Sequence, residues 1–177
     1  MLTVDRFLHT ELVSPYAFKR SIQMQFNDAF NHVVKSEGGY NNRSDDPGGE
    51  TNFGISKRAY PNENIKGMTA ARAKEIYMTD YWMRCRCPDL PEGIRLAVFD
   101  CAVNQGVGQA SRLLQRSLGL KEDGMLGLAT ITAAQKKPAR ELLVDFLGER
   151  LEHYANLDKT QFEPGWFRRV IRVALEA

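Results

Sequence analysis

A chain of 177 residues with 43% apolar side chains can bury a real core, and it fits one domain, of two lobes at most, better than two independent ones. The 24 Lys and Arg against 22 Asp and Glu leave a net charge of +2, which argues neither for nor against a strongly anionic partner. Asp5, Arg6, Glu11, Lys19 and Arg20 interrupt any apolar run near the N-terminus before it reaches signal-peptide or membrane-spanning length.

From about Ser21 to Glu37, Phe26, Ala29, Phe30, Val33 and Val34 recur at the spacing of one helix face, and Gly38-Gly39 ends it. Turn formers then dominate to about Asn64, with one short extended candidate around Thr51 to Ile55, so this segment reads as a small hairpin or ordered loop. Thr69 is a good N-cap for a helix running through Ile76 and Tyr77 to Trp82, and Pro88 and Pro91 mark the next break. Glu92 to Gln105 is apolar over so much of its surface that it is expected at the centre of the molecule. Gly106 and Gly108 separate it from a helix ending near Leu118, followed by helices over Leu128 to Lys136, from Pro138 towards Lys159, and from Gly165 to Ala177. The fold class is mainly α. Residues 1–20 read as an N-terminal extension, 21–99 as one lobe and 100–177 as a C-terminal helical lobe packed on it as a single compact unit.

Glu37 is the first residue that points to chemistry. At about 100° per residue, the apolar face of the first helix spans an arc roughly 140° wide, and Glu37 falls at about 20°, near its middle. Burial disfavours a charged carboxylate, and the helix C-terminus carries partial negative charge, so both effects raise the pKa expected for Glu37. A carboxyl kept protonated near neutral pH can serve as a general acid, although an acid on an apolar face can equally be a paired structural residue. The segment behind it, rich in glycine and acids, can fold back and bring Asp45, Asp46 or Glu50 towards the same cleft, and two carboxyl groups in one cleft suit the cleavage of a glycosidic bond.

Six ordered blocks, EGGYNNRSDDPGGETNFGIS, IYMTDYW, LPEGIRLAVFDCAVNQG, LLQRSLGL, DGMLGLAT and GWFRR, closely resemble glycoside hydrolase family 108, N-acetylmuramidases found mainly as bacteriophage endolysins. The resemblance runs from about Phe26 to Arg169 and implies a lysozyme-like fold, peptidoglycan as substrate, Glu37 as the catalytic acid, and a peptidoglycan-binding region from about Asp100. It also implies synthesis in the host cytoplasm and holin-type release to the peptidoglycan of the periplasm. A looser likeness to lysozymes of the phage T4 type, with Glu, eight residues, Asp, five residues, Thr, is matched by Glu37, Asp46 and Thr51 with one residue fewer before the threonine. By that analogy Asp46 and Thr51 hold or activate a water, with Asp45 and Glu50 as alternatives for the second carboxylate.

Around this acid, Tyr40 and Asn52 are candidates to hydrogen-bond a sugar, and Tyr81 or Trp82 to offer a flat apolar face to a pyranose ring, although an aromatic pair near a helix end is also commonly core. Asn104 and Gln105, closing the central helix, are candidates for a cleft wall or for simple C-capping. Asp100, among apolar neighbours, reads as a paired structural aspartate. The DGMLGLAT stretch, Asp123 to Thr130, resembles the turn-then-helix element of peptidoglycan-binding modules, although an Asp-Gly turn feeding a short helix accounts for it without any ligand. The last helix sets Trp166, Phe167, Val170, Val173 and Ala174 against Arg168, Arg169 and Arg172, a basic amphipathic pattern open to contact with an anionic envelope. Cys85, Cys87 and Cys101, an odd number, are expected as free thiols. His9, His32 and His153 are scattered, and Cys85-Arg86-Cys87 places one residue between sulfurs where zinc sites have two or more, so neither metal nor other cofactor is expected. No nucleic-acid motif is present, and a monomer is expected. The alternatives kept open are a lytic transglycosylase and a non-catalytic wall-binding or secretion-assisting protein.

Overall fold

The computed structural model describes residues 25–35, 39–42, 49–157 and 163–177. Helix α1 occupies 25–35 and buries Phe26, Ala29, Phe30 and Val33, the face that the apolar spacing predicts. The expected N-terminal extension over 1–20 lies outside the described residues.

Beyond α1 the chain forms a two-stranded antiparallel hairpin, β1 Thr51–Asn52 and β2 Ile55–Ser56. The extended stretch expected from Thr51 to Ile55 is thus interrupted at its middle. Phe53 and Gly54 have φ of 50° and 76°, the two positive values that a tight two-residue hairpin turn requires. Period two does the rest: Asn52 and Ile55 face each other and are buried, whereas Thr51 and Ser56 face each other half-exposed. Asn41 adds a third rung, exchanging backbone hydrogen bonds of 2.8 Å with Thr51 in both directions.

Helix α2, Ala70–Tyr77, is capped as Thr69 predicts, its hydroxyl accepting from the Arg72 N–H at 3.2 Å. It does not continue as an α-helix to Trp82; a π-helical segment, Met78–Met83, takes over. Its wider winding turns Trp82 fully inward, against Phe26 and Phe99 at ring centroid distances of 5.5 Å each, and leaves Asp80 and Tyr81 half-exposed. After a short 3₁₀ turn at Cys87–Asp89, helix α3, Glu92–Gln105, runs through the middle of the molecule as expected, packed against helices α4, Val107–Ser117, α6, Ala139–Ala155, and α7, Glu163–Glu176. Helix α5, Leu128–Lys136, lies against α6. A division at residues 99 and 100 falls inside α3, which is shared by both halves of the core.

Asp100 is buried on α3 and gathers two cations from other helices. Nη1 of Arg150 on α6 stands 2.8 Å from Asp100 Oδ2, an ion-pair contact rather than an aligned hydrogen bond, and Nε of Arg169 on α7 donates to Oδ1 at 2.9 Å. The outward basic side expected for α7 therefore loses Arg169, whose charge has found a buried partner, and retains Arg168 and Arg172. Ala174, expected on the apolar side, is exposed. Cys85, Cys87 and Cys101 are free and buried. Among the described residues no helix is long and apolar enough to cross a membrane.

Candidate active site

Glu37, Asp45 and Asp46 lie outside the described residues, so the site is built here from what surrounds them in the chain. Val33, four residues before Glu37 in the sequence, is completely buried. On the other side of the gap, Tyr40 is exposed and its hydroxyl donates to Glu50 Oε1 at 3.1 Å. Desolvation and then the Glu50 carboxylate both push the Tyr40 phenol above its ordinary pKa, so it stays a donor at neutral pH. The Thr51 hydroxyl, next to Glu50, donates to the Gly49 carbonyl at a long 3.4 Å. Tyr40, Glu50 and Thr51 thus form a polar edge at the open end of the hairpin.

That edge is braced from behind. Asn52, expected to meet a sugar, instead turns its Nδ2 to the Ile65 carbonyl at 3.1 Å and is buried; it fastens the hairpin to the loop that follows. Tyr77 donates from its hydroxyl to the Phe53 carbonyl at 2.8 Å and fixes the turn. Trp82 also departs from the ligand reading: with no exposed surface it has no face to offer a sugar, and its place between Phe26 and Phe99 is a core position.

At the open end the backbone N–H of Tyr60 donates to the Ser56 carbonyl at 3.0 Å, which leads the chain into a depression of about 440 Å³. It is lined by Tyr60, Asp80, Tyr81 and Arg84 together with the α3–α4 turn at Gly106 and Gly108. The Tyr60 hydroxyl donates to Asp80 Oδ2 at 2.9 Å, and burial, the Tyr81 hydroxyl and Asp80 together raise its pKa well beyond the usual phenol range. Gly106 holds φ of 88°, the conformation that lets one helix end and the next begin without a spacer. Among the described residues no side chain caps α4.

The same turn borders a second depression of about 270 Å³, lined by Asn104, Gln105, His153, Tyr154, Leu157 and Trp166. Here the expected wall residues are anchored. Asn104 is exposed, and its Oδ1 accepts from the Tyr154 hydroxyl at 2.6 Å; Tyr154 in turn accepts from Arg150 at 3.1 Å, which leads back to the Asp100 ion pair. Gln105 Oε1 accepts from the Cys101 thiol at 2.9 Å, and its Nε2 has no hydrogen-bond partner among the described residues. Trp166 stacks on Tyr154 with centroids 4.8 Å apart and planes at 16°. Among the described residues no group of three or more His, Cys, Asp or Glu side chains converges as a metal site would require.

Tyr60, Asp80 and Arg84 are residues that sequence reasoning missed. The only signal was Asp80 and Tyr81 beside Trp82, and reading that stretch as one regular α-helix hid which of them faces out.

Comparison with known proteins places this arrangement in a class. The model of the family described as Glycosyl hydrolase 108 matches residues 30–106, which include Glu37, the hairpin, the π-helical segment and the whole of α3. The solved structure of Brucella abortus SagA superposes with a TM-score of 0.79 at 32% sequence identity, covering 87% of this chain and 94% of that one. The curated proteins give no match. The protein is therefore a glycoside hydrolase, of a kind that acts on peptidoglycan. It belongs to the glycosyl hydrolase 108 family.

Proposed function

We infer that this glycoside hydrolase is an N-acetylmuramidase, cleaving the β-1,4 bond between N-acetylmuramic acid and N-acetylglucosamine in peptidoglycan. The observation that carries the reading is the family match over residues 30–106, which spans Glu37, four residues after the buried Val33 in the sequence, and the hairpin with its polar edge. Glu37 donates its proton to the glycosidic oxygen as the bond breaks. A water then adds to the anomeric carbon, its remaining proton passing to a carboxylate of the site, while a loop carboxylate balances the positive charge that develops there. Asp46 is the first choice for that carboxylate, with Thr51 helping to hold the water; Asp45 and Glu50 are the alternatives. Glu50, the member of this set with described contacts, is half-buried and already accepts a hydrogen bond from Tyr40, an arrangement that suits orienting a polar ligand at the hairpin edge.

The test is purified Glu37→Gln protein, its fold checked by circular dichroism, against a cell-wall suspension. Clearing should be lost; near-normal clearing ends the proposal. Mass spectrometry of the wild-type products separates hydrolysis, which leaves reducing ends, from a lytic transglycosylase, which leaves anhydromuramyl ends. Wall capture without any released sugar would mark a binding protein.

For the biological setting we propose an endolysin, made in the host cytoplasm and passed to the periplasm through a holin-type pore. The bacterial source of the SagA structure favours one second reading, an enzyme that trims a bacterium's own wall. Lysis of an expressing cell only when a pore-forming protein is co-expressed supports the endolysin; wall trimming without lysis and without a pore supports the other.

A further inference from the structure

We propose that the depression between the π-helical segment and the α3–α4 turn binds the stem peptide of peptidoglycan, through the free amino-carboxylate end of a diamino acid in that peptide. The inference rests on the peptidoglycan reading and goes beyond it, since the glycan strand alone does not require such a pocket.

The argument is one of charge arrangement. Asp80 presents a carboxylate on one side of the depression, and Arg84, four residues on, a guanidinium. The two are not ion-paired with each other, and Arg84 has no ion-pair partner among the described residues. The same depression is lined by Gly106 and Gly108 at the start of α4, an eleven-residue helix without a side-chain cap among the described residues, where N–H groups and the helix dipole favour an anion. A pocket with a fixed anion on one side and both a cation and uncapped amides around it matches a zwitterion: an ammonium on Asp80, a carboxylate between Arg84 and the start of α4. The rings of Tyr60 and Tyr81 supply apolar wall for the methylenes between. A neutral sugar would leave these charges without counterparts, and a simple phosphate would meet the Asp80 carboxylate.

Tyr60 keeps Asp80 in place by its 2.9 Å hydrogen bond, and asparagine at position 80 can still accept that bond, so Asp80→Asn removes charge while preserving the contact. Arg84→Gln alters an exposed side chain and should leave the fold intact.

The full-length protein should be titrated by NMR with L-alanyl-D-glutamyl-meso-diaminopimelate, and separately with the corresponding L-lysine tripeptide, which lacks the distal carboxylate. The expected result is saturable perturbation of the Val107 and Gly108 amides by the first peptide, with at least about tenfold weaker binding of the second. Arg84→Gln should weaken the first by roughly tenfold, the scale of one lost charge-assisted hydrogen bond. The ratio of kcat/KM on peptide-bearing strands to that on peptide-free glycan strands should fall by a similar factor in both Asp80→Asn and Arg84→Gln. Equal binding of the two peptides, absence of binding at millimolar concentration, or an unchanged ratio in the folded variants would overturn the proposal. Peptide binding without glycan cleavage would sink the muramidase reading and leave this one standing; cleavage without peptide binding would do the reverse.

Discussion

Replacing Asp100 by alanine removes a buried carboxylate that contacts both Arg150 and Arg169, two guanidinium groups brought to it from different helices. Asp100 and Arg150 have no exposed side-chain surface and Arg169 has 14%, so water cannot take over the solvation that the carboxylate provides. Breaking a buried pair by deleting one partner costs about 3–5 kcal/mol, and since the Arg150 side chain has no exposed surface, the upper part of that range, about 4–5 kcal/mol, is expected. For a domain of this size each kcal/mol corresponds to roughly 2–4 °C in Tm, giving a fall of roughly 8–20 °C. Urea unfolding followed by circular dichroism should show the midpoint moving while the slope stays constant, the sign of lost stability rather than altered compactness. Asp100→Ala combined with Arg150→Met should cost less than the two single changes added together, because the double variant no longer buries the Arg150 charge. A single variant within about 1 kcal/mol of the parent would refute the reasoning, and would mean that water reaches the guanidinium groups.

Three other outcomes are expected. Gly54→Ala forces a β-carbon into φ of 76° at the hairpin turn and should cost on the order of 1 kcal/mol in the same urea experiment, with no loss exposing a turn that relaxes freely. Burial pushes the Cys85 and Cys101 thiols up to about 12 and Cys87 well above its ordinary value, so all three should ignore a thiol reagent at pH 8 in the folded protein and react once it is denatured; fast labelling of the native state would contradict the packing. Burial first, and Arg116 second, hold the folded-state pKa of His153 below 6.5. The unfolded chain therefore takes up the proton first as pH falls, and this residue's contribution makes the protein more stable as pH rises through about 6.5. His153→Asn should flatten that part of the Tm-against-pH curve, and an unchanged curve would remove His153 as its source.

Much of the scaffold was readable from local signals. Thr69 before an apolar run, the breadth of apolar residues over Glu92 to Gln105, and an aspartate isolated among them are each governed by nearest neighbours along one helix, and each turns up where those rules put it. What escaped depends on distant partners. Nothing beside Arg169 in the sequence says that an aspartate 69 residues away will take its charge. An aromatic such as Trp82 looks the same whether it stacks on a sugar or on Phe26 and Phe99, and only the fold decides. The switch from α to π winding at Met78 leaves no mark on a hydrophobic period read over one turn, so the outward pair Asp80 and Tyr81 could not be separated from the inward Trp82.

That winding also ties the wall of the depression to the floor of the core in one short segment. A π-helical stretch accommodates about one more residue per turn than the regular helix on which it is inserted. Excising a single codon between Met78 and Met83 would let the coil tighten, swinging every downstream side chain around the axis by roughly a quarter turn or more before the 3₁₀ stretch resets it. Tryptophan would be driven toward solvent and the acid toward oil, so descendants that altered the length of this one segment would have had to rebuild both the wall of the depression and the floor of the core at once.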